Sequence, residues 1–306
     1  MFQAACIGAC IARELAADQD LTLFGTTSRG CFLQSSSGWT TFLTEESPRG
    51  PLTINLPAGS INPIKTAVSK LTTSNNTVRS SIALHNGVLH FSPTVLINLG
   101  NVSYWQPDSP QRTNIQPVEI RHKTAAEAIQ IILEQKGASN LTGILPDLIP
   151  ILGIPDLIMH TKGPYSNNLH ALITSLHLPE PEKLEQLLAD FLGQGGGLTP
   201  SGDDFLLGFF LTLERWGDAL PKLWEHHPGQ IIAALAHTKT THLSASLISC
   251  AAQGHADERL IVALDSLMTA DTCKPASLEG LLTWGNSSGL DALAGMLTAS
   301  LFNPTP

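Results

Sequence analysis

The sequence predicts an α+β chain, with a β-rich, barrel-like antiparallel N-terminal part over residues 1–120 and a mainly α-helical part over residues 121–306. Three observations lead there. From Leu21 to Pro117, short apolar and β-branched runs alternate with turn residues, the pattern of strands. Near Arg121 the apolar period lengthens to that of helices. The 306 residues, 42% of them hydrophobic, supply enough apolar side chains for a core in each part.

The elements follow in order. Met1 to Ala12 is apolar, but its first basic residue, Arg13, comes after the run, the reverse of a secretory signal. Thr53 to Leu71 carries Pro57, Gly59 and Pro63 before a short helical pattern and leaves strand and helix both open. Ser80 to Phe91 reads as a hairpin, because Asn86-Gly87 provides the positive φ angles of a two-residue turn. Thr124-Ala125-Ala126-Glu127 reads as a capping box that starts a helix ending at Gly137. The proline-rich stretch Ile144 to Pro155 reads as a loop, and Pro181 as the first residue of a helix carrying Leu184, Leu187, Leu188 and Phe191. Runs 203–216, 228–237, 241–253 and 257–269 complete the helical pattern.

Composition narrows the function. With 17 basic against 26 acidic residues and a net charge of -9, no basic cluster is available to replace the counterions of nucleic acid or of an acidic membrane surface. No apolar run reaches the roughly 18–20 residues that span a bilayer. The charged fraction of 14% is low and points to surface covered by another subunit. Five cysteines without CxxC spacing indicate neither a disulfide framework nor a zinc site, and a cytoplasmic location is expected. Cys250, in an apolar run, reads as core.

The chemistry concentrates at Gly195-Gly196-Gly197-Leu198-Thr199-Pro200-Ser201-Gly202-Asp203-Asp204. Glycines admit a ligand close to the backbone, and a following helix offers unpaired amides and the positive end of its dipole. Ser201, three residues before Asp204, reads as a cap, leaving one of Asp203 and Asp204 to face the site. The plainer alternative is a well-capped helix whose acidic first turn complements its dipole. The same grammar recurs at Ser288-Gly289-Leu290-Asp291-Ala292-Leu293-Ala294-Gly295, so that both segments read S-G-x-D-x-L-x-G. Two helix starts are therefore expected to converge on one ligand, with glycines 208 and 295 allowing close packing; the alternative is a repeated packing unit without a shared ligand. Asp203, Asp204 and Asp291 are the candidate catalytic groups. Gly196, Gly197, Thr199, Ser201, Gly202, Lys239, Thr241, Ser244, Asn286, Ser287, Ser288 and Gly289 are the candidate anion-binding residues. His237 and His242 are five apart, the wrong spacing for a metal pair on one helical face. No resident cofactor is expected, although the carboxylates leave a divalent cation possible. The GGG run lacks the Gly-Lys-Ser/Thr ending of a P-loop, and Gly-x-Ser-x-Gly is absent.

The combination of GLTPSGDDFLLGF at 197–209, the segment 238–253 followed by Gly254, and GNSSGLDALAG at 285–295 resembles the AllH-type proteins. The resemblance implies a subunit of an oxamate carbamoyltransferase that works with AllF-like and AllG-like subunits. The implied reaction is phosphorolysis of oxalurate to carbamoyl phosphate and oxamate in allantoin degradation. It assigns no catalytic residues, so the sites above rest on the residues themselves. The Ser-x-Arg-Thr-Arg signature of known carbamoyltransferases is absent, which leaves cations to be supplied by other subunits. Two other classes stay open: a non-catalytic subunit sensing a small anionic metabolite, and a metal-assisted enzyme on Asp203, Asp204 and Asp291.

Overall fold

The computed structural model describes residues 1–45, 48–74, 81–153, 163–177, 180–217, 228–270 and 272–301. Contacts divide the chain into two compact units, Met1–Pro107 and Asp108–Pro306.

The first unit is built on ten strands: β1 (Phe2–Gln3), β2 (Cys6–Gly8), β3 (Gln19–Thr26), β4 (Gly30–Gln34), β5 (Thr40–Glu45), β6 (Thr53–Leu56), β7 (Ser81–His85), β8 (Val88–Ser92), β9 (Val95–Asn98) and β10 (Ser103–Trp105). Helices α1 (Ala9–Glu14) and α2 (Ile61–Ser74) accompany them, so the ambiguous Thr53 to Leu71 segment is a strand and then a helix. The strands form one curled sheet in the order β1-β9-β8-β7-β3-β4-β5-β6-β2-β10. Its curvature follows from chain length. Gln3 pairs at one edge with Asn98, while Cys6 pairs near the other edge with Asn55. Three residues span at most about 11 Å, whereas ten flat strands at ~4.8 Å spacing would span roughly 40 Å. The edges must therefore bend toward each other. The pairing is not wholly antiparallel as expected: β1–β9, β2–β10 and β5–β6 are parallel, because the chain crosses the sheet instead of turning back at these pairs. The β7–β8 hairpin forms, with Asn86 at φ 50° and Gly87 at φ 71°; Ser80 lies outside the described residues.

The second unit contains α3 (Val118–Lys136), α4 (Leu145–Leu148), α5 (Ser166–His177), α6 (Pro181–Ala189), α7 (Ser201–Trp216), α8 (Pro228–Lys239), α9 (His242–Ala251), α10 (Glu258–Thr269), α11 (Pro275–Leu282) and α12 (Ser288–Leu301). Two local expectations are corrected. Helix α3 begins at Val118, so Thr124 is interior, buried, and donates to the Ala270 carbonyl instead of capping. The proline-rich stretch contains α4, with Pro146 in the first turn, where its missing N–H costs nothing; 154–155 lie outside the described residues. Among the described residues no helix is long and apolar enough to cross a membrane.

Helices α7 and α12 form the centre. All of α7 except Ser201 and Glu214 is buried, and so is all of α12 except Ser288. A helix apolar on every side must be surrounded by others. Their contact is reciprocal: a Cβ at Gly208 would lie 1.9 Å from the Ala292 carbonyl oxygen, and one at Gly295 2.0 Å from that of Phe205. In each motif the glycine seven residues after the serine meets the carbonyl four residues after the partner serine. The repeat is thus a local two-fold arrangement that draws two backbones together.

Candidate functional site

That crossing brings both helix starts to one place. The Thr199 and Ser288 hydroxyl oxygens are 3.1 Å apart. Ser201 lies against Asp291, and Ser288 together with Thr199 lies against Asp204. Each motif's serine therefore serves the other motif's aspartate.

Ser201 does not cap its helix. The cap position is Pro200, without a side-chain bond, and Ser201 is the first helical residue. Its hydroxyl is drawn away to the facing carboxyl. Backbone carbonyls serve the first-turn amides instead: Gly202 N–H donates to Gln194 at 2.9 Å, while those of Asp203 and Asp204 donate to Pro200 at 3.0 and 3.1 Å. On α12, Gly289 N–H donates to Trp284 at 3.0 Å, and those of Leu290 and Asp291 donate to Ser287 at 2.8 and 2.9 Å. A Cβ at Gly202 or Gly289 would also lie 2.0 Å from the Phe191 or Leu281 carbonyl oxygen. Both glycines are closely packed against backbone.

The three carboxyls have separate duties. Asp203 accepts from Gly193 N–H at 2.8 Å and from the Thr240 hydroxyl, tying α7 to the turn after α6 and to the α8–α9 junction. The Ser244 hydroxyl also faces Asp203 without completing a well-formed hydrogen bond. Burial raises the Asp203 pKa, and these donors oppose the rise. Asp204 is 1% exposed, and burial lifts its proton affinity well above the carboxylate range; the Ser288 and Thr199 hydroxyls work against the lift, and the Asp291 and Asp203 charges add to it. Asp291 is fully buried and accepts from Ile144 N–H at 2.6 Å. Burial raises its pKa to about 6, opposed by Ile144 N–H and the Ser201 and Ser287 hydroxyls. Asp204 Oδ2 and Asp291 Oδ2 are sealed from solvent, and neither accepts a hydrogen bond from a described residue.

The glycine loop is open where the helix starts are closed. A Cβ at Gly196 or Gly197 would meet nothing within 4 Å, and both residues are exposed. Thr241 caps α9 by accepting from Ser244 N–H at 3.1 Å, and donates to the Leu198 carbonyl at 2.7 Å, which fixes the loop's far end. Lys239 is exposed, and its carbonyl packs against Gly193. Asn286 is exposed at the second start, where its carbonyl accepts from Lys136 Nζ at 3.4 Å. Four residues here escaped the sequence reading. Lys136 brings a cation to the α12 start from a distant helix end. Gly143, at φ +83°, lets the backbone pass where a Cβ would be 2.1 Å from Asp291 Oδ1. Thr240 holds Asp203. Tyr165, whose N–H donates to the buried Asp147 at 2.7 Å, brings its hydroxyl beside Gly195. Only Gly143 had a legible signal, as a lone glycine between short apolar runs. Among the described residues no group of three His, Cys, Asp or Glu side chains is placed to hold a metal ion.

This centre lies within a span that matches a known family model. Residues 191–300 match the family model described as oxamate carbamoyltransferase subunit AllH. Over this span the chain is similar to the AllH family. The matched span runs from Phe191, against which Gly202 packs, to the last turn of α12, and so contains both motifs. The AllH family carries a coarse role with it, that of a subunit of oxamate carbamoyltransferase, which implies other subunits. Comparisons with the curated proteins and with the solved structures give no match.

Proposed function

We propose that this AllH-like chain contributes a substrate site to an oxamate carbamoyltransferase that includes AllF-like and AllG-like subunits, and that the site lies over the paired starts of α7 and α12. The reaction is transfer of the carbamoyl group of oxalurate to phosphate. Its requirements are two anions held together, charge stabilised at the carbonyl oxygen, and a proton for the departing nitrogen. The supporting observation is the convergence of two hydroxyl-bearing helix starts beside an open glycine loop. The Gly196 and Gly197 amides and the Thr199, Ser201 and Ser288 hydroxyls are the donors for the substrate oxygens, and both helix dipoles favour negative charge there. Thr241 and Ser244 shape the loop, while Asn286 and Ser287 form the opposite rim. The donors are almost all neutral, so further cations are expected from the partner subunits.

Co-expression with the AllF-like and AllG-like partners tests this. The complex should form carbamoyl phosphate from oxalurate and phosphate, and Ser201→Ala or Asp204→Asn should abolish turnover while the complex still assembles. Unchanged turnover in both variants overturns the site.

A further inference from the structure

The glycine loop is also reached from outside both motifs. Helix α5 begins at Ser166, and the residue before it, Tyr165, is anchored by its N–H bond to the buried Asp147 carboxylate at 2.7 Å. That carboxylate is so close to the chain that a Cβ at Gly163 would lie 2.0 Å from Asp147 Oδ1. The Tyr165 ring packs within the helical core, leaving the residue 8% exposed. Backbone and ring are thus both held, and the hydroxyl at the ring's end stands at Gly195.

Gly195, at φ +111°, leaves a notch where another residue would carry its side chain. A Cβ built there would lie 2.7 Å from the Ser201 backbone nitrogen and 3.3 Å from the Tyr165 hydroxyl oxygen. The two donors are therefore no more than about 6 Å apart, a span that one acceptor atom bridges with two hydrogen bonds of ordinary length. Ser201 N–H is the first amide of α7, has no acceptor within its own helix, and belongs to the set that points out of a helix start. The next three amides are bonded to the Gln194 and Pro200 carbonyls, but neither the Ser201 amide nor the Tyr165 hydroxyl donates to a described residue. A buried tyrosine ordinarily finds a partner for its hydroxyl, and phenylalanine would fill the same space without one. Gly195 itself is exposed, so the notch opens to a molecule arriving from solvent.

We propose that the Gly195 notch, the Ser201 amide and the Tyr165 hydroxyl form a subsite for one anionic oxygen, that of a carboxylate or of a phosphate. An N–H can only donate, and the positive end of α7 favours a charged acceptor over a neutral one. Which anion it holds in turnover rests on the reaction proposed above, where oxalurate brings a carboxylate and phosphate is the other anion; the subsite itself does not. Tyr165 is then a residue that touches substrate, and it lies outside the span 191–300 that carries the family likeness.

Calorimetric titration of the purified full chain with inorganic phosphate and, separately, with oxamate tests the subsite. The wild type should bind at least one of them. Tyr165→Phe keeps the ring and its packing, and should weaken that binding about 10-fold or more, the scale of one hydrogen bond to a charged group. Gly195→Ala places a methyl in the notch and should abolish it; circular dichroism checks that both variants fold, and Tyr165→Phe alone decides if the alanine variant does not. Weakening for phosphate assigns the subsite to phosphate, weakening for oxamate assigns it to the carboxylate, and weakening for both makes it common to the two. No binding of either anion by the wild type, or undiminished binding in folded Tyr165→Phe, overturns the subsite. In the active complex, Tyr165→Phe should raise KM for the matching substrate by a similar factor with little change in kcat, and an unchanged KM would overturn its contact with substrate. A complex without transferase activity whose chain still loses anion affinity in Tyr165→Phe would refute the assigned reaction and leave the subsite standing.

Discussion

Asp291→Asn tests the electrostatics of the centre through stability alone. The Asp291 pKa rises from 3.8 to about 6 on folding, a gap of about 2 units, and at ~1.4 kcal/mol per unit this is about 3 kcal/mol. The sign follows from which state holds the proton. Between pH 3.8 and about 6 the folded chain keeps a proton that the unfolded chain has lost, so stability falls as pH rises through that window and stays lower above it. Asparagine carries no charge, and its Oδ1 can still accept from Ile144 N–H. The variant should lose the slope and gain about 3 kcal/mol relative to the wild type between pH 4 and pH 7. Asp204, relieved of a like charge, changes in the same direction. Urea unfolding of both proteins at half-unit pH steps, compared as the difference in free energy, isolates the effect from other titrating groups. Parallel curves across the window would refute the reasoning, since they would mean that Asp291 is as well solvated folded as unfolded.

Four further outcomes are expected. Gly208→Ala drives a methyl into the Ala292 carbonyl at 1.9 Å and should cost about 3 kcal/mol or more, whereas Gly196→Ala, open on every side, should stay within about 0.5 kcal/mol; thermal unfolding reads both. Gly143→Ala meets a strained φ and the Asp291 carboxylate together, and should lower the unfolding temperature more than Gly196→Ala. Asp265→Ala leaves the buried Arg215 guanidinium, held at 2.7 Å through both Nε and an Nη, and the Trp216 indole N–H without their acceptor; a loss of about 3 kcal/mol is expected in urea unfolding. Thr240→Val removes a donor to Asp203 and should cost about 2 kcal/mol, with faster hydrogen exchange at the Gly193 amide.

The sequence made the motif pair legible because both halves use the same residues at the same spacing, and close helix packing demands glycine at fixed offsets. The Asn86-Gly87 turn was legible for a similar local reason. The errors arose where a distant partner outcompeted a local rule. Ser201 and Thr124 both look like helix caps, yet one hydroxyl goes to Asp291 and the other to the Ala270 carbonyl. Parallel strand pairs require knowing where the chain crosses, which no period reveals. The crossed assignment of serines to aspartates depends on two segments 87 residues apart lying together, and Lys136 reaches the second start from a helix end outside both motifs.

The reciprocal α7–α12 contact also orders events during synthesis. Helix α7 is complete by Trp216, yet the surface that covers Gly208 and faces Asp204 begins only at Ser288. Until those later residues emerge, a helix with 14 of 16 residues destined for burial has no permanent cover. Long-range closure of this kind is slow and leaves apolar surface open to aggregation. Because α12 both covers this surface and brings Ser288 to Asp204, burial of α7 and assembly of the paired helix starts occur in the same step, and a chain stopped before α12 should depend on a chaperone.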